Sequence, residues 1–163
     1  MRVRTRAVSC VLAGTFVAVA FASTAFAQMP KGMAGTWKLN AAKSTYSPGP
    51  PPKSMTIVYT PAGDMLTIAV DVEPATGAPQ KWAMTAAYDG KDHPVTGNPD
   101  ADTISMKRIN ETTGESTFKK GGKVTAVNTR VLSADGKTLT ITSKGTTSDG
   151  KPRHDVAVYD KQP

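Results

Sequence analysis

The stretch GTWKL at residues 35–39 decides how the rest of this chain is interpreted. An apolar leader precedes it, and about nine short blocks with strand character and hardly any helical pattern follow it. Period-two alternation of apolar and polar residues recurs at 54–59, 65–72, 81–88 and 103–108, which predicts half-buried β-strands. A tryptophan on the first strand of an all-β chain of this size predicts a small closed barrel, with the Trp37 ring plugging one end.

Short turns connect these blocks in sequence order. The segments PAGD at 61–64, PATGAP at 74–79 and SADGK at 133–137 carry the residues that tight turns prefer, at the spacing of about 8–12 residues typical of all-β folds. Successive hairpins predict an up-and-down antiparallel meander of about 8–10 strands that closes into a barrel and so removes its exposed edges. Residues 89–99 fit either a short strand near Val95 or a loop.

The first 27 residues have the pattern of a cleaved signal peptide. Arginines at positions 2, 4 and 6 form a basic start, an apolar run covers 7–21, and Ala25-Phe26-Ala27 supplies a small-x-small cleavage site. The apolar run is shorter than the ~20 residues that span a bilayer. We therefore expect a signal peptide at 1–27, a single barrel domain at 28–163, export to the periplasm or the medium, and no stable membrane span after cleavage.

The composition of the predicted mature chain excludes further classes of function. Cys10, the single cysteine, lies in the leader, so the exported domain has no disulfide and depends on a folded core. The net charge of +7 includes the three leader arginines, and the only local concentration of the remaining basic residues is at Lys107, Arg108, Lys119, Lys120 and Lys123. A nucleic-acid-binding surface needs a basic stripe interleaved with exposed aromatic residues. We expect no nucleic-acid partner.

Both ends of the domain resemble known carrier families. GTWKL resembles the opening strand of the intracellular fatty-acid-binding proteins, and its Gly-x-Trp core is similar to that of lipocalins. VYDK at 158–161 resembles the Val-Tyr-Glu-Lys ending of the fatty-acid-binding group. The resemblance covers the mature chain in outline and implies a calycin barrel that holds a small apolar or amphipathic ligand, lipids among them.

Two departures separate the chain from true fatty-acid carriers. That group places a helix-turn-helix lid between its first two strands, whereas here SPGPPP at 47–52 cannot be helical. That group also has an arginine, which holds the ligand carboxylate, at the position that Ala157 occupies here. The chain is therefore more similar to an exported bacterial lipocalin-like protein.

Candidate ligand-binding residues lie on the more apolar strand faces. Aromatic and methionine side chains line apolar pockets, although a barrel of about eight strands can equally be filled by its own side chains. Arg108 shares a face with Ile104 and Met106, and Arg130 shares one with Val124, Ala126 and Leu132. A guanidinium there marks an anion site or an internal ion pair, unless its head group reaches the rim or stacks on the tryptophan. The candidate ligand residues are Tyr59, Trp82, Met84, Tyr88, Met106, Arg108 and Arg130.

Catalytic and metal-binding patterns are sparse. The chain has two histidines, His93 and His154, and lacks the common hydrolase, nucleotide and zinc motifs. Asp89, Asp92 and His93 cluster in sequence, but aspartate with glycine is ordinary turn chemistry. We expect no cofactor, no metal and no enzyme. Two alternatives to a carrier stay open: a ligand-free structural or protein-interaction barrel of the cell envelope, and an enzyme acting at the barrel mouth through His93, Asp92 and Tyr88.

Overall fold

Ten antiparallel strands form a closed barrel in the computed structural model, which describes residues 29–146 and 150–163. Each strand pairs with its neighbours in sequence, and the first strand closes the barrel on the last. The predicted all-β meander is thus confirmed, while the predicted signal peptide lies outside the described residues. The strands are β1 (Gly35–Leu39), β2 (Ser54–Ala62), β3 (Met65–Glu73), β4 (Gln80–Ala86), β5 (His93–Thr96), β6 (Thr103–Arg108), β7 (Thr113–Lys120), β8 (Lys123–Leu132), β9 (Thr138–Thr146) and β10 (Pro152–Lys161).

The thinnest part of the barrel wall is the region for which the sequence left two interpretations. It contains the short strand β5, which has two register pairs with β4 and two with β6. Gly97 follows that strand with φ +83°, and a Cβ there would lie 2.6 Å from the Lys81 carbonyl oxygen. Glycine is therefore needed at this position, because the chain turns tightly against the backbone of β4.

Alternation along the strands produces the core. In β3, Leu66, Ile68 and Val70 point inward and are buried, while the residues between them face solvent more. Along each strand a side chain of one face follows a side chain of the other, so period two in the sequence becomes inside and outside in the barrel. The part of the chain that the structure describes contains no helix with the length and apolar character needed to cross a bilayer.

Trp37 closes one end of the barrel. Its side chain is fully buried, and its Nε1 donates a hydrogen bond to the Met33 carbonyl oxygen at 2.8 Å. The Lys161 ammonium lies 5.3 Å from the centroid of the ring and donates to the Gly32 carbonyl oxygen at 2.7 Å. The segment 29–34 is therefore fixed across this closed end, with Pro30 and Met33 buried beneath it.

No lid helix follows β1. A three-residue 3-10 turn at Ala41–Lys43 is followed by an extended segment that runs along β10, where Thr45 bridges Val156 and the His154 amide donates to the Ser47 carbonyl oxygen at 2.7 Å. The proline-rich segment then crosses to β2. This arrangement brings Tyr46 over the barrel interior at the end opposite to Trp37.

A bulge interrupts the alternation between β7 and β8. The register shifts between Phe118 and Lys119, so Phe118 pairs with Ala126 and Lys119 pairs with Val124. The extra residue, Thr125, reverses the side-chain direction, and Val124 is consequently 58% exposed. The prediction that Val124 shares the inward face of Arg130 was wrong, because it assumed an uninterrupted strand.

Candidate ligand-binding cavity

An internal cavity of about 240 Å³ occupies the half of the barrel away from Trp37. Strands β2, β3 and β4 supply one wall, β8, β9 and β10 supply another, and the loop at 98–101 lies between them at the rim. The principal lining residues are Tyr46, Met55, Ile57, Tyr59, Ile68, Val70, Trp82, Met84, Phe118, Asn128, Arg130, Ile141, Ser143, Arg153, Asp155 and Tyr159.

The wall formed by β2, β3 and β4 is apolar. Cross-strand register places Ile57, Val70 and Trp82 in one row of inward positions. The next row contains Tyr59, Ile68 and Met84. Because neighbouring strands lie under 5 Å apart, each row forms a continuous surface of hydrocarbon and ring atoms. This wall, hereafter the apolar wall, suits the hydrophobic part of a ligand.

Arg130 on β8 brings a charged group into the facing wall. The residue is 3% exposed, and its register partners are Gly114 on β7 and Ile141 on β9. Gly114 has no side chain, and a Cβ there would lie 3.1 Å from the Tyr88 ring. Glycine at this position therefore makes the room in which the Tyr88 ring packs beside the guanidinium.

The Arg130 guanidinium is incompletely paired. The hydroxyls of Tyr59 and Tyr88 interact with it by charge and by hydrogen bonding, yet its Nε and Nη2 atoms have no hydrogen-bond partner among the described residues. Burial lowers the pKa of Arg130, and the two tyrosines more than offset this, so its pKa lies above the ordinary value and the group stays charged. Burial raises the pKa of Tyr59 to about 12 despite the neighbouring cation, so this phenol is neutral.

A second group of polar side chains lies at the rim. Asp155 accepts a hydrogen bond from the Ser47 amide at 3.1 Å and forms an ion pair with Arg153 at 3.4 Å. Burial raises the pKa of Asp155, partly opposed by these two contacts. Burial, reinforced by the charge of Asp155, raises the pKa of Tyr46 to about 12. The Arg153 guanidinium therefore balances the negative charge of Asp155 at the rim.

The structure brings together only some of the residues predicted from the sequence. Tyr59, Trp82, Met84 and Arg130 line the cavity. Tyr88 instead borders a second cavity of about 190 Å³ near the β2–β3 turn, and its hydroxyl donates to the Met33 sulfur at 3.5 Å. Met106 is fully buried in the core but does not reach the cavity. Arg108 does not line the cavity either, and its Nε donates to the Asn110 carbonyl oxygen at 3.1 Å in the β6–β7 turn.

Several lining residues were not identified from the sequence. Asn128 lies two positions before Arg130 on the same strand, so the alternation used for Arg130 already placed it on the inward face. Ser143 and Asp155 are aligned with it only through cross-strand register, which a single sequence does not reveal. Tyr46 lies in an irregular segment that has no periodic pattern at all.

The two aspartates of the aspartate and histidine cluster face different partners. Asp89 contacts His93 Nε2 at 3.0 Å, and a hydrogen bond from that ring lowers the pKa of Asp89. Asp92 turns to Lys119 at 2.8 Å. Within residues 29–146 and 150–163, no group of three or more histidine, cysteine, aspartate or glutamate side chains is placed to hold a metal ion.

The ten-strand antiparallel barrel is compatible with a calycin-like fold. No protein-family model matches the sequence, and no curated protein matches it either. Because barrels of this kind host many unrelated functions, the chemistry of the cavity and not the fold indicates what this chain does.

Proposed function

We propose that this chain is an exported, lipocalin-like binding protein that holds a small amphipathic ligand in its barrel and performs no chemistry on it. The observation that carries the proposal is the buried Arg130 guanidinium, which faces a cavity of about 240 Å³ with hydrogen-bonding atoms unpaired among the described residues. A buried cation without a paired carboxylate is costly, and an anionic ligand group would supply both the missing charge and the missing acceptors.

The two walls supply complementary parts of such a site. Trp82, Met84 and Ile68 would contact a hydrocarbon body, while Arg130 would bind an acidic head group. The Tyr59 hydroxyl lies beside that head group and is neutral, so it would add a hydrogen bond without repelling the anion.

The volume favours a compact ligand. Cavities that bind drug-sized molecules measure about 300–1,000 Å³, and the present cavity of about 240 Å³ lies just below that range. At about 30 Å³ for each water molecule of the liquid, the space corresponds to roughly eight waters. A medium-chain or single-ring organic acid fits this size better than a long-chain lipid does.

Native mass spectrometry of the protein purified from its own host tests the proposal most directly. We expect a small molecule that co-purifies with the folded chain, and a protein that begins at Gln28 in the periplasm or the medium. An intact Met1 chain in the cytoplasm of that host would contradict the export part of the proposal.

Calorimetric titration with decanoate and with decan-1-ol tests the role of the guanidinium. Wild-type protein should bind decanoate about 10–100-fold more tightly than the uncharged alcohol, which corresponds to the value of a charged hydrogen bond. Arg130→Met should bind the two equally, while the matched control Arg108→Met should behave as wild type. Absence of saturable binding, together with no co-purified molecule, would favour a ligand-free structural or interaction barrel.

A further inference from the structure

A row of polar side chains crosses the inner wall opposite the apolar wall. Cross-strand register pairs Ser116 with Asn128, Asn128 with Ser143, and Ser143 with Asp155, so the four occupy successive positions on β7, β8, β9 and β10. Ser116 is 1% exposed, and the other three line the cavity. We refer to these four residues as the polar row.

The polar row is not a fully hydrogen-bonded network. Its members lie on neighbouring strands, but two of them do not complete their hydrogen bonds: Ser116 Oγ and Asn128 Oδ1 have no partner among the described residues. Asp155 accepts a hydrogen bond from the Ser47 amide at the rim and forms an ion pair with Arg153. Buried polar groups in native proteins are nearly always bonded, so an open acceptor that faces a cavity points to a donor brought by something else.

The open acceptor and the open cation lie close together. Asn128 and Arg130 are alternate residues of β8, about 7 Å apart along the strand, and both face the cavity. A plain fatty acid would pair with Arg130 but would leave the Asn128 amide facing hydrocarbon. A ligand with a second polar group would satisfy both residues while its body still packs on the apolar wall.

We propose, on the basis of the function proposed above, that the ligand is a small organic acid that also carries a hydroxyl or N–H donor about one aromatic ring away from its acid group. Arg130 binds the acid, Asn128 Oδ1 accepts from the donor, and the apolar wall packs against the ring or chain that joins them. The polar row thus selects hydroxylated or amide-bearing acids against plain fatty acids of the same size.

Calorimetric titrations with 4-hydroxybenzoate and 4-methoxybenzoate test this specificity. The methyl ether keeps the acid, the ring and the oxygen but has no donor. Wild-type protein should bind the hydroxy acid about 10-fold more tightly, which is the value of one buried hydrogen bond. Asn128→Leu removes the amide at similar volume and should reduce this ratio to about one. Thr129→Val, on the outward face of the same strand, should keep the wild-type ratio.

Titration with decanoate distinguishes failure of the polar-row proposal from failure of the carrier function on which it rests. Equal affinity of wild-type protein for the two benzoates, or an unchanged ratio in Asn128→Leu, would overturn the role of the polar row. If decanoate still bound with the Arg130 dependence described above, the carrier function would stand without it. Failure of wild-type protein to bind any of the three acids would overturn both proposals. Circular dichroism and the urea midpoint show whether each variant is folded.

Discussion

Arg130→Met should make the protein more stable while it removes acid binding. Two guanidinium atoms, Nε and Nη2, are buried without a partner among the described residues, and each unpaired buried donor costs about 1–3 kcal/mol. Methionine keeps the unbranched stem and fills the same channel between β7 and β9, so the packing lost should stay below about 1.5 kcal/mol. The buried hydroxyls of Tyr59 and Tyr88 lose their contact with the cation, which offsets part of this gain, so the net expectation is an increase of about 1 kcal/mol in the free energy of unfolding.

Urea denaturation followed by tryptophan fluorescence measures this change. With a slope of about 2 kcal/mol per molar urea, the midpoint should rise by about 0.5 M. Arg108→Met, at the half-buried end of β6, should shift the unfolding free energy by no more than about 0.5 kcal/mol. A lower midpoint for Arg130→Met would refute the reasoning, because it would mean that the guanidinium is satisfied within the barrel and contributes to stability.

Three further perturbations address the cavity, the bulge and the rim. Trp82→Ala should cost only about 1–2 kcal/mol in denaturant titrations if the ring borders empty space, whereas a loss of about 3–5 kcal/mol would indicate a solid core. Gly145→Ala should lower the urea midpoint by the equivalent of about 1–3 kcal/mol, because its Cβ would collide with the backbone of Thr125 and Ala126; an unchanged midpoint would contradict the close approach. The raised pKa of Asp155 means that the folded state holds its proton more tightly than the unfolded state, so this contribution to stability is lost as pH rises from 3.8 through the folded pKa. Asp155→Asn should flatten that part of the stability profile measured by urea titration at several pH values.

Most of the barrel follows from local sequence pattern. Residues 65–72 alternate without interruption, and β3 has the inside and outside faces that this alternation predicts. The turn residues of 61–64 and 133–137 connect neighbouring strands, as their composition indicates. The bulge at Thr125 could not be predicted, because it depends on how β7 and β8 are paired over a long stretch, and its partner Gly145 lies on a third strand. Local sequence pattern predicts the strands, whereas their register is set by pairing between segments that are distant in sequence.

The candidate site was predictable only where it depends on a single strand. Tyr59, Trp82 and Arg130 were found because each lies on a strand whose own alternation points it inward. The polar row was not found, since Ser116, Asn128 and Ser143 are ordinary residues that become a group only when three strands are aligned. Empty volume is also a property of packing, and no composition distinguishes a lined cavity from a filled core in a barrel of this size.

The two halves of the barrel differ in how completely their buried polar atoms are hydrogen-bonded. At the closed end, the Trp37 Nε1 atom and the Lys161 ammonium both bond backbone carbonyls of the segment 29–34, so burial there is accompanied by satisfied hydrogen bonds. In the other half, Arg130 and Asn128 face a cavity with atoms that the described chain leaves unpaired. A core under selection for stability alone would replace these two residues with apolar ones, because that change removes a desolvation cost. Their presence beside an apolar wall supports the proposed function, because the polar groups of an amphipathic ligand would complete the missing bonds.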